Sequence, residues 1–137
     1  MKVPFVCSGG VGDGRQLAAA LALGADGVNC GTRLCATQEC NWPSSFKERM
    51  VAASEGDTVL MFRTLHNTAR VFKNKVAAEV DAIQRAKGEA LKFEDVATLV
   101  SGARGRKAEA ENDSDGGIWS AGQVNTLIVT SLFSLSL

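Results

Sequence analysis

Two glycine-rich turns, each directly after a short apolar run, constrain this chain more than any other feature. The first run is Val3-Pro4-Phe5-Val6-Cys7, and its turn is Ser8-Gly9-Gly10-Val11-Gly12-Asp13-Gly14. The second run, Gly27-Val28-Asn29-Cys30, is followed at once by Gly31-Thr32. Between them, Arg15 to Leu23 is rich in helix formers, with Leu17, Ala20 and Leu21 on one face and Gly24 at the C-terminal end. Strand, glycine turn, helix, strand, glycine turn is a βαβ unit. The nearly unbroken apolar first run, with Pro4 only near its start, reads as a parallel strand buried on both faces.

The two turns suit phosphate. A dianionic phosphate needs several N–H donors at close range, and glycine lets the main chain approach without a Cβ in the way. Ser8 adds a hydroxyl, and the helix starting near Arg15 points its positive end toward the same space. Gly31 and Thr32 supply the opposite wall. The spacing is equally compatible with turns that are simply tight. It does not fit a dinucleotide fingerprint, because Gly10, Gly12 and Gly14 sit two apart and the x-x-G tail is missing.

Beyond the unit the pattern is mostly helical. Arg33 to Thr37 fits one helical turn, broken by Asn41-Trp42-Pro43. Ser45 as N-cap and Glu48 at N3 form a capping box for a helix to about Ala53. Thr58 to Phe62 is β-prone, and 63–75 has no clear assignment. Val76 to Lys87 reads as an amphipathic helix ended by Gly88. Phe93 to Val100 reads as another, with Phe93, Val96, Ala97 and Val100 inward. Ala103 to Gly117 reads as a polar loop, and Ile118 to Ile128 as a helix. Residues 129–137 form an atypical apolar tail for which no ordered structure is expected.

Composition narrows the function classes. The 137 residues suffice for one small domain with a core, but a complete (β/α)₈ barrel takes about 250. Fifteen bases balance fifteen acids, so nothing points to nucleic acid. The twelve bases and eight acids of residues 43–108, against four acids and no base in 109–137, read as solvated faces. Cys7, Cys30, Cys35 and Cys40 make no C-x-x-C pair and read as free thiols in a reducing, cytoplasmic setting, with no metal site. No signal-peptide pattern and no apolar run of spanning length appear, so no membrane association is expected. Catalytic side chains are scarce. His66 is the only histidine, no carboxylate or nucleophile stands beside it, and it reads as structural or surface. Such poverty suits an enzyme whose cofactor carries the chemistry, or a chain that holds part of an active site.

The segment VPFVCSGGVGDGRQLAAALALGADGVNCGTRLCAT, residues 3–37, closely resembles the nitronate monooxygenase family, formerly 2-nitropropane dioxygenases. Looser similarity follows at Glu39, Phe46-Lys47, Asp57-Thr58-Val59, Ala69 to Asn74 and Ser101-Gly102, and again at Gly116 to Val124 with its WSAGQ segment. The resemblance implies an α/β chain: part of a (β/α)₈ TIM barrel, its last two βα units plus C-terminal helices, over residues 1–128. It implies FMN as cofactor, with the phosphate held by Ser8, Gly9 and Gly10 after strand seven and by Cys30, Gly31 and Thr32 after strand eight. Gln123, with Ser120, would line the flavin or substrate side. The implied reaction converts an alkyl nitronate and oxygen to a carbonyl compound and nitrite. The family's catalytic histidine belongs to a segment upstream of these motifs, so His66 does not inherit its role, and the chain alone is expected to be inactive. A flavin-dependent enoyl-thioester reductase shares the SGG and GTR turns, but WSAGQ argues against it. A non-catalytic phosphate- or flavin-binding fragment is the reading of another class. The sequence assigns no oligomeric state.

Overall fold

The computed structural model describes residues 3–128; the apolar tail expected at 129–137 lies outside them. The βαβ unit is present. β1 (Val6–Ser8) and β2 (Gly27–Asn29) pair in parallel, with Val6 opposite Gly27 and Ser8 opposite Asn29. Between them runs α1 (Gly14–Ala22). Its start is set by Asp13, whose carboxylate accepts from the Arg15 and Gln16 N–H groups, while Gln16 Oε1 accepts from the N–H groups of Gly12 and Asp13. This is a reciprocal capping box inside what the sequence presents as a glycine turn. Gly24, with φ +93°, reverses the chain after the helix.

The expectation of a first strand buried on both faces is wrong. β1 is three residues long and exposed throughout, and Val6 retains 58% of its accessible surface. On α1, Ala20 is buried, but Leu21 is 48% exposed, and Leu23, just past its end, is 85% exposed. Continuous apolar character suits a strand with neighbours on both edges and layers on both faces. Here β1 has one neighbouring strand among the described residues.

The rest packs around a hairpin. After α2 (Thr32–Cys35) and α3 (Ser44–Ala52), β3 (Thr58–Met61) pairs antiparallel with β4 (Ala69–Phe72). β4 supplies the structure of the stretch left unassigned by the sequence. A short bridge between Val71 and Ser120, and the bond from Phe72 N–H to Trp119 O (3.0 Å), set the C-terminal segment along β4. Successive β4 residues face opposite ways. Phe72 enters a cluster with Phe46, Met50, Trp119 and Ile128, in which its ring stacks on Trp119 at 4.3 Å between centroids. Val71 enters a second cluster with Met61, Val76, Val80, Leu91 and Val96. The hairpin thus partitions the apolar interior of an α/β chain. α4 (Lys75–Lys87), capped by Asn74, closes the second cluster.

Four local expectations are corrected. α3 starts at Ser44 behind Pro43, so Ser45 is not its N-cap; Ser45 Oγ donates to Asn112 O (2.8 Å) and its N–H to Asn112 Oδ1 (3.0 Å). Phe93 to Val100 is not a helix: Asp95 accepts from the Lys92 N–H and pairs with Lys87, closing a 3₁₀ turn that leaves Phe93 exposed while Val96 is buried. The expected loop 103–117 contains α5 (Gly102–Ala110), with Ser101 as N-cap. Gly105 lowers helix propensity, yet the helix forms, and a Cβ on Gly117 would lie 3.0 Å from Gly105 Cα, so it is Gly117 that the close approach requires. Ile118 to Ile128 is extended at Trp119–Ser120 and then a 3₁₀ turn, Gln123–Leu127, because β4 claims its hydrogen bonds.

Candidate functional site

The parallel register leaves Ser8 and Asn29 side by side where both strands end, and Gly9 N–H donates to Asn29 O (3.1 Å). Gly9 and Gly10 follow with φ +83° and +73°, consecutive left-handed residues that an L side chain adopts only under strain. A Cβ at either would meet no atom within 4 Å. Glycine is therefore demanded by the backbone, and the space above the turn is open. Gln16 Nε2 donates to Gly10 O (2.6 Å), which fixes the turn while the Gly10 N–H engages no acceptor among the described residues.

The second turn is similar. Gly31 also faces open space, and its N–H is unengaged among the described residues. Thr32 opens α2, and its Oγ1 accepts from Gly122 N–H (2.8 Å), leaving the hydroxyl proton available for another acceptor. Gly12 is buried, and a Cβ there would fall 2.3 Å from Val124 Cγ2. The C-terminal segment thus seals against both turns. These contacts gather Ser8, Gly9, Gly10, Cys30, Gly31 and Thr32 at one end of β1 and β2, with exposed Gln123 between the two sealing residues Gly122 and Val124. Ser120 is exposed one step before Ala121, on the bridge to β4.

One expected contribution is missing. The first N–H groups of α1 are already bound by the Asp13 carboxylate, which also pairs with Arg15 at 2.5 Å. The Arg15 hydrogen bond holds that carboxyl below the usual carboxylate range. The positive end of α1 is thus neutralised within the chain, and the open donors belong to the turns.

A residue that the sequence reading passed over stands next to the second turn. Arg33 is buried to 5% exposure in α2, with no carboxylate within salt-bridge distance among the described residues. Its signal was available: an arginine directly after a glycine-threonine turn. Further along, burial pushes the Cys35 thiol up, and neighbouring Cys40 adds to the effect. All four cysteines are free thiols. His66 is exposed, with φ +53° in the hairpin loop, away from the turns in sequence. Among the described residues no three metal-ligating side chains converge, and no helix is long and apolar enough to cross a membrane.

Similarity to known proteins follows this geometry. The sequence profile described as nitronate monooxygenase matches residues 1–135. The nitronate monooxygenase npaC of Metarhizium robertsii is 41% identical over 68 residues, covering 50% of this chain and 19% of that protein. Two solved structures are alike in fold. FabK from Thermotoga maritima gives a TM-score of 0.82 at 34% identity, over 97% of this chain and 41% of its own. A nitroalkane oxidase from Streptomyces ansochromogenes gives 0.66 at 29% identity, over 93% and 35%. The chain therefore spans about a fifth of that curated relative and about two fifths of those structures.

Proposed function

The chain belongs to the nitronate monooxygenase family, and from that premise we propose that it is the phosphate-holding part of an FMN-dependent barrel that oxidises alkyl nitronates with oxygen. The observation that carries this is the pair of open turns: two glycines, one after each parallel strand, whose N–H groups engage no acceptor and whose Cβ positions meet no atom among the described residues. A phosphate monoester fits that donor set. The Gly10 and Gly31 N–H groups and the Ser8 and Thr32 hydroxyls donate to its oxygens, Gly9 sets the turn, and Cys30 lies half-buried between the strands' end and Gly31. Arg33 supplies a positive charge to the same neighbourhood. Gln123 and Ser120 stand on the flavin or substrate side. FMN, when bound, supplies the electron acceptor for the nitronate and the route to oxygen.

Residues 1–128 act in this reading as the end of the barrel built from its last two βα units. The acid–base group that handles the nitronate lies outside this chain, and neither His66 nor any cysteine takes that role. The family match favours nitronate oxidation over the enoyl-thioester reductase reading.

A chimera tests the proposal. Residues 3–124 replace the corresponding segment of the Metarhizium robertsii enzyme. The chimera is expected to purify yellow and to release nitrite from propane-2-nitronate, and Gly10→Leu is expected to strip the flavin. A folded, colourless chimera, or one whose flavin survives Gly10→Leu, overturns the phosphate assignment. A yellow chimera that reduces an enoyl thioester and releases no nitrite overturns the reaction.

A further inference from the structure

A cleft of ≈ 540 Å³ opens between β3, the hairpin loop and α4, with Arg70 of β4 at its wall. It is within the size range of small-ligand pockets, about 300–1,000 Å³. Arg63, Arg70 and Arg85 all line it, against the single carboxylate of Asp81. That carboxylate is committed to Arg85, whose Nε donates to Asp81 Oδ2 at 2.8 Å. Arg63 and Arg70 have no acidic partner among the described residues.

The other polar groups are donors as well. Gln84 Oε1 already accepts from Phe62 N–H (2.5 Å), so the amide presents its NH₂. Thr58 Oγ1 receives Arg70 Nη1 at 2.8 Å, which holds that guanidinium at the cleft and leaves the hydroxyl proton to donate. Thr64 adds a second hydroxyl. Two unpaired guanidiniums, an NH₂ and two hydroxyls, facing one occupied carboxylate, complement an anion with many oxygens.

The loop that brings Arg63 there is under strain. Phe62 and His66 both adopt left-handed φ, +61° and +53°, unusual for bulky residues. Bonds from Leu65 and Asn67 N–H to Phe62 O hold the loop closed. The strained loop sets Arg63 and Thr64 in the same cleft as Arg70 from β4 and Arg85 from α4. Backbone strain of this kind persists where the surroundings enforce it.

We propose that this cleft is a second anion site, separate from the glycine turns, that binds the diphosphate group of a small organic ligand. Arg63 and Arg70 grip its oxygens and Thr64 and Gln84 donate to it. The volume exceeds what one orthophosphate fills, and two free cations match a diphosphate better than a monoester.

Calorimetry with inorganic pyrophosphate on the 137-residue chain tests this, using Arg63→Gln, Arg70→Gln and Gly10→Leu, with circular dichroism to check folding. Arg63 is exposed on a loop, so its loss removes charge without removing packing. Each arginine variant is expected to weaken pyrophosphate at least tenfold, and Gly10→Leu to leave this binding in place. Absence of binding, or binding unchanged in Arg63→Gln and Arg70→Gln, overturns the proposal. Binding lost in Gly10→Leu instead assigns the anion to the glycine turns and also overturns it.

Discussion

Asn74 offers a sharp test of how the C-terminal segment is held. It is buried, at 3% exposure, and all three of its side-chain bonds are internal. Oδ1 accepts from Ala77 N–H (2.9 Å) and caps α4, while Nδ2 donates to Ser114 O (2.8 Å) and Gly117 O (2.7 Å). In Asn74→Ala the lost cap costs about 1 kcal/mol, and each amide bond about another. Ser114 O keeps the indole N–H of Trp119 (3.0 Å), so only Gly117 O is left buried without a donor among the described residues. The sum is about 2–4 kcal/mol, a large part of the 5–15 kcal/mol typical of a domain. Urea unfolding followed by tryptophan fluorescence should show the midpoint falling by roughly 1–2 M at unchanged slope. Asn74→Asp separates the two roles. Aspartate caps a helix as well as asparagine, but it sets a carboxylate oxygen against two carbonyls. Its loss at neutral pH should equal or exceed that of alanine. If alanine costs under about 0.5 kcal/mol, or aspartate restores the wild-type midpoint, the clamp on residues 114–117 is not what holds this segment.

Three further outcomes follow from buried or charged groups. Both amide atoms of Asn125 are buried without a partner among the described residues, a state worth about 1–3 kcal/mol of destabilisation, so Asn125→Leu should raise the melting temperature; an unchanged or lower one refutes the orphan assignment. Arg33→Met should stabilise the free chain by about 1–4 kcal/mol, as when a poorly compensated buried charge is replaced by an apolar side chain of similar size. The same variant should weaken FMN binding in fluorescence titrations, and a variant that leaves both unchanged denies Arg33 its place beside the phosphate. Partial burial pushes the Asp115 carboxyl up, but the Arg49 hydrogen bond, the Lys75 N–H and both charges outweigh it and hold it below its usual value. A carboxyl lowered on folding contributes stability above its unfolded value, about 3.9, and loses it as pH falls through the lower folded value. Stability should therefore decline below pH about 4, less steeply in Asp115→Asn, and identical acid profiles would refute the pairing.

The βαβ unit and its glycine turns were legible because their signals are local: apolar runs, consecutive glycines and helix formers within residues 3–37. The burial of β1 was misread because the same apolar run serves any interior strand, whatever lies beside it. β4 was missed because Arg70 and Ala69 break the alternation, and its strand character comes from pairing with β3 and with Ser120. α5 was hidden by Gly102 and Gly105, which lower local helix propensity, while the helix is fixed by the Ser101 cap and by its packing against Gly117. At the candidate site, the turns were readable, but the neutralised end of α1 was not. Asp13 reads as a turn residue in the sequence, and only the structure shows its carboxylate consuming the first donors of the helix.

The Gly122-to-Thr32 bond spans 90 positions, and this separates the glycine turns from the segment that seals them in time as well as in sequence. A ribosome adding about 5–20 residues per second delivers the sealing segment roughly 5–20 s after the second turn. During that interval both turns exist without the segment that seals Gly12 and Thr32. The pocket is therefore completed only once residue 122 has emerged and docked. Any flavin that binds must do so after the C-terminal segment has emerged, or be enclosed as it docks.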